Sequence, residues 1–285
     1  MIAYLSNFWE LTKPRVTFMV LVSTLGGFYL GTQDSIGLIL LFNTLLGTWF
    51  VAGGTNALNQ LIERDRDAQM KRTKNRPIPA GRLTASQVAV FATFISIFGI
   101  LYLCFAVNLL TGALAAVTLG SYIFIYTPLK RTTPFSTVVG AVPGALPAMG
   151  GWVAATGVVS IEAWVLFSIL FFWQLPHFLA IAWIYREDYA RGGFQVLSMA
   201  KQNDFHSRLY IILNCLALLH VSLLPTLIGL TGVIYFIGAL ILGLGFLAAG
   251  VRASLQKSNH TAKQLLHASI IYLPILMLLI FVDKI

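Results

Sequence analysis

Unbroken apolar runs recur from one end of this chain to the other. A helix that crosses a bilayer needs about 20 mainly apolar residues, and nine segments meet that length. They lie at about 15–33, 38–61, 86–107, 109–126, 134–156, 161–184, 207–229, 231–250 and 264–282. Within lipid every backbone N–H and C=O must find its partner inside the protein, so only helices and closed barrels span. Barrel strands read as short apolar–polar alternations, whereas these runs are continuous. The expected fold class is therefore all-α, an integral membrane bundle of nine transmembrane helices. At 58% hydrophobic and 10% charged residues, with a mean hydropathy of +0.81, no stretch remains for a soluble domain, so 1–285 reads as a single transmembrane domain.

The placement of charge gives the orientation. Lys13 and Arg15 precede the first run. Basic residues from Arg64 to Arg82 follow the second, and Lys130 and Arg131 follow the fourth. Arg186, Arg191, Lys201 and Arg208 follow the sixth, and Arg252, Lys257 and Lys263 follow the eighth. With nine spans all of these fall on one side, and only Lys284 falls on the other. The positive-inside rule makes that side cytoplasmic, with the N-terminus on it. This asymmetry accounts for much of the net charge of +9, and no nucleic-acid module is visible. Cys104 and Cys215 sit alone inside apolar runs and read as packing residues. The N-terminus lacks the order of a cleavable signal or transit peptide, which favours a bacterial inner (plasma) membrane over a mitochondrial inner membrane. Two cytoplasmic links, about 62–85 and 185–206, are long and polar, and function is expected there.

The first link holds the densest charge, in NQLIERDRDAQMKRTKNRPIPAGR, residues 59–82. Asn59, Glu63 and Asp67 are spaced i, i+4, i+8, one stripe on a helix. Oxygen-bearing side chains of this kind suit Mg²⁺, which takes few carboxylates, keeps waters and completes its shell with substrate phosphates. Lys71, Arg72, Lys74 and Arg76 follow directly and can offset phosphate charge. Acids that hold a metal, followed by bases that hold an anion, describe a metal–diphosphate site. A solvated, salt-bridged loop is the competing reading, and it fits Arg64, Asp65 and Arg66, which lie off the stripe.

NxxxExxxD followed by KRTKNRPIPAG resembles the first signature of the UbiA-type intramembrane prenyltransferases, usually N-D-x-x-D-x-x-x-D before RT-x-x-RP. Gln60 and Glu63 stand where many members carry Asp. Two further blocks, YTPLKRTTPFSTVVGAVPGALPAMGGW at 126–152 and FWQLPHFLAIAWIYREDYARGGFQVLS at 172–198, together with TKPRV at 12–16, resemble one branch, the protohaem IX farnesyltransferases or haem O synthases. The family's second signature carries two acids four apart; here Ile184 holds the first position and Asp188 the second, with Glu187 beside it.

The resemblance implies a nine-helix bundle whose cavity opens to the cytoplasm, and a Mg²⁺-dependent transfer of farnesyl from farnesyl diphosphate to haem b, giving haem O. It implies Asn59, Glu63, Asp67 and Asp188 at the metal, directly or through water. Arg72, Arg76, Lys130, Arg131 and Lys13 go to the diphosphate, Lys130 with a catalytic part. Tyr126 and Trp173 are candidates for an aromatic wall that shields an allylic cation. His177, after Pro176, reads either as a packing histidine or as a contact to haem, through the iron or a propionate. Arg186 can serve a propionate. Implied partners are the lipid bilayer, haem b, farnesyl diphosphate and a downstream haem A synthase or terminal-oxidase assembly. A quinone-precursor prenyltransferase and, more remotely, a transporter are the alternatives; no internal repeat supports the latter.

Overall fold

The computed structural model describes residues 2–33, 36–195 and 205–285. Residues 196–204, which hold Lys201 and the end of the third sequence block, lie outside the described residues, as does the side chain of His206. Among the described residues the chain is helical, with no strand longer than an isolated bridge. In order the helices are α1 (Ile2–Leu11), α2 (Pro14–Gly31), α3 (Leu38–Asp67), α4 (Ala85–Ala106) and α5 (Leu109–Gly120). A π-turn (Ser121–Tyr126) and a short α6 (Thr127–Leu129) prolong α5. Then come α7 (Ser136–Thr156), α8 (Ile161–Ile184), α9 (Arg186–Arg191), α10 (Phe205–Leu227), α11 (Val233–Gln256) and α12 (Asn259–Asp283).

Eight of the described helices are long and apolar enough to cross a membrane. The segment expected as the first span, α2, has 18 residues and opens on Pro14 and Arg15, so it falls outside that set although it packs within the bundle. Several boundaries differ from the hydropathy reading. The second run does not stop near 61: α3 continues to Asp67 because the polar stripe beyond the apolar run is itself buried. Helix α11 runs on to Gln256 and α12 begins at Asn259, because partly polar turns extend each beyond its apolar window. Helix α1 has no counterpart in the hydropathy reading; it is too short to span and is tied down by Arg82, whose guanidinium donates to Asn7 Oδ1 at 2.6 Å and pairs with Glu10 at 2.7 Å.

Local chemistry explains the ends. Pro14 occupies the first turn of α2, where its missing N–H costs nothing. Thr84 and Gln87 form a capping box at α4, and Ser258 and Thr261 another at α12. Small residues let helices touch where lipid supplies no hydrophobic drive. Gly27 of α2 lies on the backbone of Ala148, and Gly151 of α7 on that of Thr24, so a Cβ at either would collide. Helices α7, α8, α10, α11 and α12 share the main core around Trp152, Ile169, Tyr235, Phe246 and Tyr272. A smaller cluster of Leu11, Ala57, Leu83, Val88 and Ala92 joins α1 to α3 and α4.

Lys284, the one basic residue on the far side of the charge map, has a structural task. Its ammonium donates to the carbonyls of Tyr29 and Thr32 at the end of α2. Neighbouring Asp283 accepts from Tyr235 N at 2.6 Å at the start of α11. The two adjacent charges thus complement two helix termini of opposite polarity.

Candidate active site

The three stripe residues sit in the last turns of α3 and point inward: Asn59, Glu63 and Asp67 are 2%, 5% and 0% exposed. A buried carboxylate requires a partner, and each acid has a basic one. Glu63 Oε1 accepts from Lys130 Nζ at 2.8 Å, and Asp67 Oδ2 from Arg76 Nη1 at 2.6 Å. Lys13 Nζ donates to Asn59 Oδ1 at 3.4 Å. Lys13 itself holds a left-handed backbone (φ 48, ψ 67), a sparsely populated conformation for a side-chain-bearing residue that is often kept at functional sites. It turns the chain between α1 and α2 towards α3.

The two lysines are tuned in opposite directions. Burial lowers the pKa of Lys13 to about 7, and the charge of Arg76 adds to that effect. Burial also works against the charge of Lys130, but Glu63 and the rings of Tyr126 and Tyr122 overcome it and hold its pKa well above the ordinary value. Lys130 Nζ lies 4.4 Å from the centre of the Tyr126 ring. The cluster therefore keeps one permanent cation at its centre and one whose charge is conditional.

Asp67 Oδ1 is buried and makes no hydrogen bond among the described residues. Together with Asn59 Oδ1 and the Glu63 carboxylate it forms a hard-oxygen donor set that fits Mg²⁺, which needs only one or two carboxylates when substrate phosphates supply the rest. Among the described residues no three His, Cys, Asp or Glu side chains gather as ligands, so Asp188 does not join Glu63 and Asp67 in one cluster. Instead its oxygens accept from the backbone N–H groups of Lys71 and Arg72, at 3.1 and 3.3 Å, and from Arg191. The Arg191 hydrogen bond lowers the Asp188 pKa, with those amides adding to it. Glu187 is exposed and lines a separate 280 Å³ polar pocket with Lys71, Arg186 and Arg191.

The remaining expected site residues divide. Arg76 joins the buried cluster. Arg72 and Arg131 are exposed, Arg72 over the Tyr185 ring and Arg131 on the carbonyl of Ile62. Arg66, for which a solvated loop was the competing reading, is instead a strut: it donates to the carbonyls of Gly192 and Gly193 at 2.7 Å each. Arg64 and Asp65 do form an exposed pair, at 3.6 Å. Arg186 binds Asn259 Oδ1 and lies over Trp183, away from the main cavity.

That cavity, of about 480 Å³, runs from beneath the charged cluster into the apolar interior. Asn56 and Tyr126 line it near the cluster, and Trp173 and His177 of α8 line its wall. Composition did not point to the neighbours that shape it. The π-turn widens the backbone so that Thr127 meets Asn59 Nδ2 at 3.5 Å; such turns cluster at functional sites. Gly140 leaves room for the Tyr126 ring, and Gly144 for Gln174, both packed against α7. The only sequence hint of this was the density of Gly and Pro in 140–151.

The UbiA prenyltransferase family profile matches residues 20–273. The chain belongs to the UbiA prenyltransferase family. Among curated relatives, the protoheme IX farnesyltransferase of Solibacter usitatus is 45% identical, with 98% of each chain covered, and that of Salinibacter ruber is 42% identical over 96% of each. The fold agrees with solved structures. A digeranylgeranylglyceryl phosphate synthase matches with a TM-score of 0.82 at 16% identity, over 98% of both chains. A UbiA homolog from Archaeoglobus fulgidus bound to GPP and Mg²⁺ matches with a TM-score of 0.66 at 14% identity, over 96% of this chain and 99% of that one.

Proposed function

We propose that this UbiA-family enzyme transfers the farnesyl group of farnesyl diphosphate to a vinyl group of haem b, with addition of water, giving haem O and diphosphate. The observation that carries this reading is the juxtaposition of a buried acid–base cluster with an apolar cavity that Tyr126, Trp173 and His177 line. The nine-span topology, a cytoplasmic N-terminus and charged cluster, a single domain over 1–285 and a bacterial inner-membrane location belong to the same proposal. A downstream haem A synthase or oxidase assembly is its proposed consumer.

Asn59, Glu63 and Asp67 would hold Mg²⁺, with Asp188 contributing through water or through its hold on the Lys71–Arg72 segment. Bound there, the ion would supply charge neutralisation to the leaving diphosphate. Lys130, Arg76 and Lys13 take the diphosphate oxygens, releasing their own hold on Glu63, Asp67 and Asn59 as they do so; Arg72 and Arg131 approach it from the exposed side. As the farnesyl C1–O bond breaks, its electron pair leaves with the diphosphate, and these preorganised cations stabilise the charge that develops. The faces of Tyr126 and Trp173 shield the allylic cation, and the apolar cavity keeps water from it. The vinyl carbon of haem b then bonds to C1, and water captures the new cation with loss of a proton. His177 contacts the haem, and Arg186 with its polar pocket faces a propionate.

Incubating the purified protein with haem b, farnesyl diphosphate and Mg²⁺ tests this by mass spectrometry. A haem O product is expected. No new haem species, with prenylation of a phenolic acid instead, would replace this reading by the quinone-precursor one.

A further inference from the structure

Ser269, on α12, makes two short hydrogen-bond contacts through one hydroxyl. Its Oγ lies 2.6 Å from the carbonyl oxygen of Leu266 and 2.7 Å from Nδ1 of His177. A serine has one O–H proton, and a carbonyl has none to give. The contact with Leu266 must therefore use the serine proton. The contact with His177 then needs its proton from the imidazole, so Nδ1 carries N–H and Nε2 is left with a lone pair. The opposite tautomer would leave one of two short contacts without a proton.

The same residue holds the neighbouring ring. Trp173 Nε1 donates to the Ser269 carbonyl at 2.9 Å, and the Trp173 ring stacks on His177 with centroids 5.0 Å apart and an interplanar angle of 21°. That stack resists the ring flip that would exchange the two nitrogens. His177 lines the main cavity beside Phe178, Ile270 and Leu273, and its Nε2 makes no hydrogen bond among the described residues. A neutral imidazole on the wall of an apolar cavity, with one nitrogen backed by a hydrogen bond and the other without a partner, is the arrangement of a metal-ligating histidine.

We infer that Ser269 is a positioning residue that locks His177 in the Nδ1–H tautomer and thereby presents Nε2 as an axial ligand to the iron of haem b. This rests on haem b being the substrate. It selects the iron, not a propionate, as the group that His177 meets, since a propionate would require an N–H at that position. It also separates the work of α8 and α12, which hold the acceptor, from that of α3, which faces the diphosphate.

The test titrates haem b into the purified, membrane-reconstituted protein without farnesyl diphosphate, reading the Soret and visible bands and the electron paramagnetic resonance of the ferric form. The wild type is expected to show a nitrogen-ligated spectrum. His177→Ala should lose it and regain it on addition of imidazole. Ser269→Ala should weaken haem binding about tenfold and shift the spectrum towards the unligated form, the scale typical of losing a hydrogen bond behind a metal ligand. Ser269→Thr, which keeps the hydroxyl, should restore both. Unchanged binding of farnesyl diphosphate serves as the folding control in every variant. A wild-type haem spectrum that His177→Ala leaves unaltered overturns the ligation while haem stays the substrate. A spectrum lost in His177→Ala but unmoved in Ser269→Ala overturns the positioning role. No haem binding by the wild type overturns the substrate reading as well.

Discussion

Asp67 and Asp188 are the same residue type in the two acidic segments of the chain, both largely buried, yet their carboxylates are in opposite states. Asp188 has its oxygens shared among two backbone amides and Arg191. It is a brace that pins the start of the basic loop against α9, and Arg66, reaching from α3 to Gly192 and Gly193, completes that brace. Asp67 spends one oxygen on Arg76 and leaves the other buried and unpartnered. An unsatisfied buried acceptor costs about 1–3 kcal/mol, more when charged, and persists where function uses it. Two acids thus divide the labour: one holds the loop, the other keeps a buried oxygen without a partner.

The sharpest way to break that contrast is Asp67→Ala. Haem O formation, followed by mass, is expected to fall at least ~10³-fold while a cooperative thermal unfolding transition still shows a folded protein. Full activity would sink the metal assignment. Next, Lys130→Met removes the permanent cation and strands Glu63, so activity should drop ~10²-fold and stability by ~3–5 kcal/mol. Adding Glu63→Gln should return stability in a denaturation assay but not turnover, separating the ion pair from the chemistry.

Asp188→Asn should be milder if its role is bracing. A ~10-fold loss, mainly in KM, is expected, together with faster trypsin cleavage after Lys71 and Arg72; a loss as deep as that of Asp67→Ala would make it a direct ligand. Because the folded Asp188 pKa is lowered, its stabilisation is present at neutral pH and is lost as pH falls through the folded value.

The smallest effect concerns Lys13. Its charge is lost as pH rises through about 7, so affinity for inorganic diphosphate, measured calorimetrically, should decline a few-fold across that range and become flat in Lys13→Met. Stability has the other sign: between about 7 and the ordinary value of 10.5 the unfolded chain binds the proton and the fold does not, so stability rises with pH there.

Much of this was legible before any coordinates because lipid is a severe solvent. It forces helices of a set length, so the spans after α2 could be placed to within about six residues at their ends, and the charge map needed only their order. The Asn59–Glu63–Asp67 stripe was equally local, a matter of helical period. Arg66 shows the limit: off the stripe and charged, it matched a solvated residue, and only the approach of Gly192 and Gly193 made it structural. Helix α1 shows another, since a short amphipathic segment gives no hydropathy signal.

The sequence by itself determined the all-α membrane bundle and the stripe of oxygen-bearing side chains, because each depends on spacing along one chain segment, and the family, because its separated blocks are each read locally. The tertiary structure alone decided which oxygen of Asp67 stays open, which acid is a brace, which lysine keeps its charge and which nitrogen of His177 meets Ser269. Those outcomes depend on partners far away in the chain, such as Lys130 for Glu63 and Ser269 for His177. A hydrogen bond acts over about 3 Å in space and carries no trace in the local pattern of either segment.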